Sequence, residues 1–206
     1  QFPSNQKSRR ISLGPNNNLF VGTMTGEVHV VDEAGNSAQL LELSKSSIEF
    51  MKWFPSENKL ILSAGIRSKS SIGGYGLEGM KYKFGYSAIG AIKDVEEYNK
   101  GVYLIASSIG AFVYDPDDIR PEFIRELPQP LSSKYRIPGI DGRVHKITCN
   151  KVNNIIYAAT TNGIKYMSNG KVGELKLIEK SLLGRSFLCL GDLTYIGTQH
   201  NGVLVL

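Results

Sequence analysis

Absences narrow this chain of 206 residues first. No apolar run approaches the ~20 residues of a membrane-spanning helix, and nothing at the start resembles a signal peptide. The chain therefore reads as a mature form or an excerpt. No segment sustains an apolar period of 3.6 residues, which excludes helical repeats. No run of five like charges occurs, so the formal net charge of +5 is spread out and reads as solubility. Neither nucleic acid nor membrane contact is expected. The three histidines, His29, His145 and His200, lack any spacing that would bring two to one metal, and His29 reads as structural. No nucleophile, base and orienting acid can be assembled. No metal or cofactor is expected.

What is present is a phrase that recurs. Tyr157-Ala158-Ala159-Thr160-Thr161-Asn162-Gly163-Ile164 reads as two strands around an Asn162-Gly163 turn, with type I′ geometry expected because Asn and Gly tolerate φ > 0. The same phrase appears at Phe20-Val21-Gly22-Thr23 through Val28 and at Leu104-Ile105-Ala106-Ser107 through Phe112. It returns with one extra turn residue at Tyr195-Ile196-Gly197-Thr198 through Val203, and a weaker copy starts at Leu60. The steps are 84 residues from Phe20 to Leu104, spanning two copies, then 53 and 38. A repeat of roughly 40 to 50 residues built only of strands and turns predicts propeller blades of four antiparallel strands. One repeat array, not two domains, is expected.

Taken in order, residues 1–206 divide into about five blades, near residues 8–44, 45–85, 86–128, 140–180 and 184–206. In the second blade a glycine- and serine-rich excursion over 65–79 leads into a strand near 80–84. The third takes its outer strand from 123–127, with 128–142 as a connector. The fifth blade is one strand short. Either an N-terminal segment closes a five-bladed ring, or the chain is an excerpt of a larger propeller; residues 1–7 make a poor strand, which favours the excerpt.

The second strand of each blade should be covered on both faces, hence its near-continuous apolar run. Gly22, Ala106, Ala158 and Gly197 recur in it, where bulk would hold the next sheet away. Thr23, Thr160 and Thr198 end it with β-branched residues suited to a pleated surface. Cys149 and Cys189 hold matching places in successive repeats. Packed sheets lie ~10 Å apart, too far for a disulfide, so both read as free, buried thiols.

The phrase of an aromatic or leucine, an apolar residue, Gly or Ala, Thr or Ser, then Gly and an alternating strand resembles the two-component regulator propeller repeat. It is carried by residues 20–28, 104–112, 157–164 and 195–203. That family usually has Trp where this chain has Phe20, Leu104, Tyr157 and Tyr195. The resemblance implies the periplasmic or extracellular sensor of a bacterial hybrid histidine kinase. It would have no catalysis of its own in this region, a glycan or similar small ligand, and homodimerisation through a longer parent protein. No Gly-His or Trp-Asp pair marks WD-type blades.

Other motifs are weaker. Gly74-Tyr75-Gly76-Leu77-Glu78-Gly79 matches a dinucleotide fingerprint, but a strand follows it where a helix is needed, so a loop is expected. Gly85-Tyr86-Ser87-Ala88-Ile89-Gly90 has one residue too many for a nucleophile elbow, and Ser87 reads as a loop serine. Asp115-Pro116-Asp117-Asp118 clusters carboxylates but lacks the Gly and distal Glu of a calcium loop. Topology says more. In a four-strand meander, the turn between strands two and three lies at the same end as the loop between blades. That end should carry Arg67, Lys69, Tyr86, Lys134, Tyr135, Arg136, Arg143, Asn162, Arg185 and His200, suited to stacking on sugars and pairing with carboxylate or sulfate. A ligand-sensing propeller is the leading expectation. A protein-binding scaffold and a propeller lyase or hydrolase are the alternatives.

Overall fold

A computed structural model describes residues 7–42, 46–66, 69–76, 83–87, 90–114, 136–177 and 180–206. It is built almost wholly of antiparallel strands in sequential meanders. The first blade comprises β1 (Ser8–Leu13), β2 (Leu19–Thr23), β3 (Glu27–Val31) and β4 (Ser37–Glu42). The second comprises β5 (Ile48–Phe54), β6 (Lys59–Ile66), β7 (Lys69–Gly76) and β8 (Lys83–Ser87). These two lie in one compact unit. The other unit holds three blades. One is β9 (Ile92–Asn99), β10 (Val102–Ser107), β11 (Gly110–Tyr114) and β12 (Arg136–Asp141). The next is β13 (Val144–Asn150), β14 (Ile155–Thr160), β15 (Gly163–Ser168) and β16 (Lys171–Leu177), with the two-residue β17 (Lys180–Ser181) on its edge. The last is β18 (Gly184–Leu190), β19 (Leu193–Thr198) and β20 (Val203–Val205). Five successive meanders agree with the expected all-β propeller of about five blades.

Two expectations about the strands are corrected. The excursion at 65–79 is mostly strand: β6 runs to Ile66 and β7 pairs with it along its length. Gly74 and Gly76 therefore belong to a strand, and Ser87 ends β8 and is not a loop residue. The outer strand of the third blade is β12, inside the stretch read as a connector. Its apolar anchors Ile137 and Ile140 are three residues apart around Pro138-Gly139, which hides a period of two. Proline is tolerated because β12 is an outer strand whose amides need not all pair. Residues 123–127 and 115–118 lie outside the described residues.

Within each unit the blades pack face to face. Phe20 and Val28 of the first blade close on Ile48, Met51, Trp53, Leu60 and Leu62 of the second. Gly22 is obligatory in that contact, since a Cβ there would sit 2.8 Å from the Ile48 Cγ2. Gly197, by contrast, is hemmed in by Ser186 of its own blade, so its smallness does not serve the blade contact. In the other unit, β14 is covered on both sides. Ile156 and Ala158, with Ile147 of the same blade, face Leu104 and Ala106 of the third, while Tyr157 faces the fifth with Ile196 and Phe187. The first and last blades each carry exposed apolar residues among those described. Ile11, Leu13 and Leu19 are exposed at the register positions that Ile147, Cys149 and Ile156 bury in the fourth blade. Leu188, Leu193 and Val205 are exposed where Thr148, Ile155 and Tyr166 of the fourth blade meet the fifth.

The hairpin phrase works differently from its expected turn. Thr160 pairs with Gly163, so the central residues are Thr161 and Asn162, and neither has a positive φ. The type I′ turn is instead at Asn169-Gly170, with φ of 50° and 74° between the paired Ser168 and Lys171. What closes the recurring hairpin is the hydroxyl at its entrance. Thr160 Oγ1 accepts from the Asn162 amide at 3.1 Å and donates to the Gly163 carbonyl at 2.8 Å. Ser107 does the same with Ile109 and Gly110, and Thr198 with Asn201 and Gly202. Thr23 accepts from the Glu27 amide. The threonines read as β-branched packing residues are thus turn latches as well, buried at Thr23 and Thr160 and half-buried at Thr198. In the second blade the strand runs past this point to Ile66, the register position of the latch is Ala64, which has no hydroxyl, and the neighbouring buried Ser63 hydroxyl has no partner among the described residues. Thr160→Val is therefore expected to cost about 1–2 kcal/mol in chemical unfolding, while Ser63→Ala should be neutral or slightly stabilising. Equal costs would refute the latch.

Candidate functional site

The first, third, fourth and fifth blades carry their latched turns at one end, and the backbone ties the entry of the first strand to the end of the second. The Met24 amide donates to the Lys7 carbonyl, Gly65 to Ser47, Thr161 to Arg143 and Gln199 to Leu183, at 2.9–3.4 Å. The turn between strands two and three and the lead-in to strand one thus share an end, as the meander requires.

Five of the ten sequence-predicted residues have described side chains, and all five belong to the unit of three blades. Arg143 and Arg185 are exposed at the entries to β13 and β18. Asn162 and His200 are exposed at the latched turns of the fourth and fifth blades. Arg136 is committed to the fold: its guanidinium donates to the Ile109 carbonyl at 2.7 Å and pairs with Asp141 at 2.9 Å, clamping the third blade's turn. Lys69 and Tyr86 are placed by backbone alone, in β7 and β8. Arg67, Lys134 and Tyr135 lie outside the described residues.

Lys93 and His145, which the sequence reading did not place at this end, are brought to it by a shared irregularity. Each first strand carries one extra residue at the same point, opposite the end of the second strand. The extra residues are Arg9, Glu49, Lys93, His145 and Arg185. A bulge of this kind re-aims the side chain it inserts. In the two-blade unit the bulged pair is neutralised, Arg9 to Glu49 at 3.5 Å. In the three-blade unit β13 packs between β9 and β18, and all three bulged residues are basic. Burial, then Arg143, Arg185 and Lys93, hold His145 below the usual imidazole range.

Cys149 and Cys189 are both free; Cys149 is buried and Cys189 half-buried, and burial first, then its neighbour Cys189, pushes the Cys149 thiol up, away from a reactive thiolate. His29 is buried in β3 against Glu27 at 3.1 Å, as a structural residue should be. Among the described residues no three metal-ligating side chains converge. No helix among them is long and apolar enough to cross a membrane.

No family model and no curated protein matches the chain. Solved structures do. A catalytically inactive virginiamycin B lyase from Staphylococcus aureus, crystallised with quinupristin, superposes with a TM-score of 0.65 at 16% identity, covering 98% of this chain and 67% of that one. A chain of the mitotic checkpoint complex gives 0.67 at 12% identity over 95% and 60%. The WD40 β-propeller domain of Doa1 gives 0.65 at 12% over 98% and 65%. The chain thus spans about two thirds or less of these chains' length. At such identities the likeness shows the fold, a β-propeller, and that fold carries both a lyase and a WD40 domain.

Proposed function

We propose that this propeller is a non-catalytic ligand-binding module, the extracytoplasmic sensor region of a two-component signalling protein, and that it takes a glycan or similar small ligand at the latched-turn end. The observation that carries the reading is the set of exposed side chains there that hold no part of the fold together. Arg143, Asn162 and His200 project from successive blade entries and turns, while comparable residues such as Arg136 are spent on structure. Rigid strands presenting polar residues on short loops are how scaffolds build binding faces. The resemblance of the hairpin phrases to two-component regulator repeats supports the sensing role and the periplasmic setting. Calorimetric titration with a panel of neutral and anionic oligosaccharides tests it. Binding that survives Arg136→Ala in folded protein but weakens about tenfold or more in Arg143→Ala is expected. No binding across the panel would sink the glycan reading.

A propeller scaffold for another protein is the second reading. The exposed apolar face of the last blade favours it, since Leu188, Leu190, Leu193, Val203 and Val205 form the kind of surface that proteins cover with other proteins.

A further inference from the structure

Three consecutive first strands deliver cations to one place by one device. The bulge displaces Lys93 in β9, His145 in β13 and Arg185 in β18 at equivalent register, and Arg143 enters just ahead of β13. Among the described residues, no carboxylate pairs with Lys93, Arg143 or Arg185, and Arg185 is held by the Gln199 side-chain oxygen. The nearest acid along β9, Asp94, is already occupied by Lys146 at 3.2 Å and by the Ile147 amide at 3.2 Å. Like charges kept together and unpaired destabilise a fold, so the arrangement needs something to offset it.

We infer that Lys93, Arg143, His145 and Arg185 form a subsite for a sulfate or phosphate ester group carried by the ligand. The proposal rests on the binding-face reading above and names its chemistry. A planar carboxylate is met by one guanidinium fork. Cations converging from three strands suit a tetrahedral oxyanion with several acceptor oxygens. Such a group would also reverse the pressure on His145: the cations that now favour neutral imidazole would be offset, and the ring would hold its proton. Affinity therefore rises as pH falls through the ligand-bound His145 pKa and levels off below the free-protein value.

The test uses the whole chain with three probes: inorganic sulfate, which does not titrate between pH 5 and 8, a sulfated disaccharide, and its unsulfated parent. His145 is followed by NMR and affinity by calorimetry. Sulfate should raise the His145 pKa. The sulfated sugar should bind at least about tenfold tighter than its parent, an advantage that Lys93→Ala or Arg143→Ala removes. His145→Gln should flatten the pH dependence. These side chains are exposed or half-buried, and thermal unfolding checks that each variant is folded. Equal affinity for the two sugars, with His145 unmoved by sulfate, overturns the subsite while leaving the binding face standing. Failure of both sugars, with sulfate still shifting His145, keeps the subsite and discards the glycan.

Discussion

Ile156→Ala and Tyr157→Ala, made separately, should each lower the stability of the chain by about 2–5 kcal/mol, read as the drop in urea midpoint. The two residues are adjacent in β14, so their side chains point to opposite faces of one sheet. In a sheet with a solvated face, one of the two substitutions would cost little. Here Ile156 is buried among Leu104, Ile147 and Ala158, and Tyr157 is buried against Ile196 and near the Phe187 ring, with centroids 6.4 Å apart. Removing either side chain opens a cavity between two sheets that cannot close without moving a blade. The same test on exposed Leu193 and Val205 should give under 1 kcal/mol, although their equivalents in the preceding blade are packed. A large cost for one member of the central pair and none for the other would mean that the sheets do not stack on both sides.

Asn150→Leu should cost a similar amount, about 2–5 kcal/mol, for a polar reason. Asn150 is fully buried where the fourth and fifth blades meet. Its amide donates to the Asp192 carbonyl and the Thr194 hydroxyl, both at 3.0 Å, and its side-chain oxygen accepts from the Val152 amide at 3.0 Å. Leucine matches the size but removes all three hydrogen bonds, and the buried Thr194 hydroxyl keeps only its contacts to the Cys189 sulfur at 3.8 Å and to Tyr157. Each orphaned buried group costs about 1–3 kcal/mol. Asn150→Asp should be worse at neutral pH, because an acceptor-only carboxylate would face the Asp192 carbonyl. Lowering the pH should recover part of that loss, since a buried carboxyl titrates above its usual range and the protonated form can donate. A leucine variant as stable as the parent would show that the network adds nothing.

The blades were legible because their second strands are apolar on both faces and end in a threonine or serine beside glycine, a pattern local sequence imposes. The turn type was not, since Asn162-Gly163 satisfies the I′ rule on paper while the Thr160 latch shifts the turn by one residue. Strand β12 was hidden by Pro138-Gly139, and β7 by glycines that usually mark loops. Topology alone placed Arg143, Asn162, Arg185 and His200 at the latched-turn end. Lys93 and His145 were missed because strict alternation gives no reason to place them there. A signal existed: Ile48 and Met51, Ile92 and Val95, and Val144 and Ile147 are buried pairs three residues apart, which a regular strand cannot place on one face. That spacing marks the bulge, and the residue after the first member is the one the bulge re-aims.

The most direct measurement is a map of amide chemical-shift changes when the sulfated disaccharide is titrated into the whole chain. The changes should concentrate at Lys93, Arg143, His145, Asn162 and Arg185, and leave Asn153, Asn169 and Asp192, which lie in turns elsewhere on the blades, unmoved. Changes centred on those latter turns, with the basic cluster silent, would contradict the account.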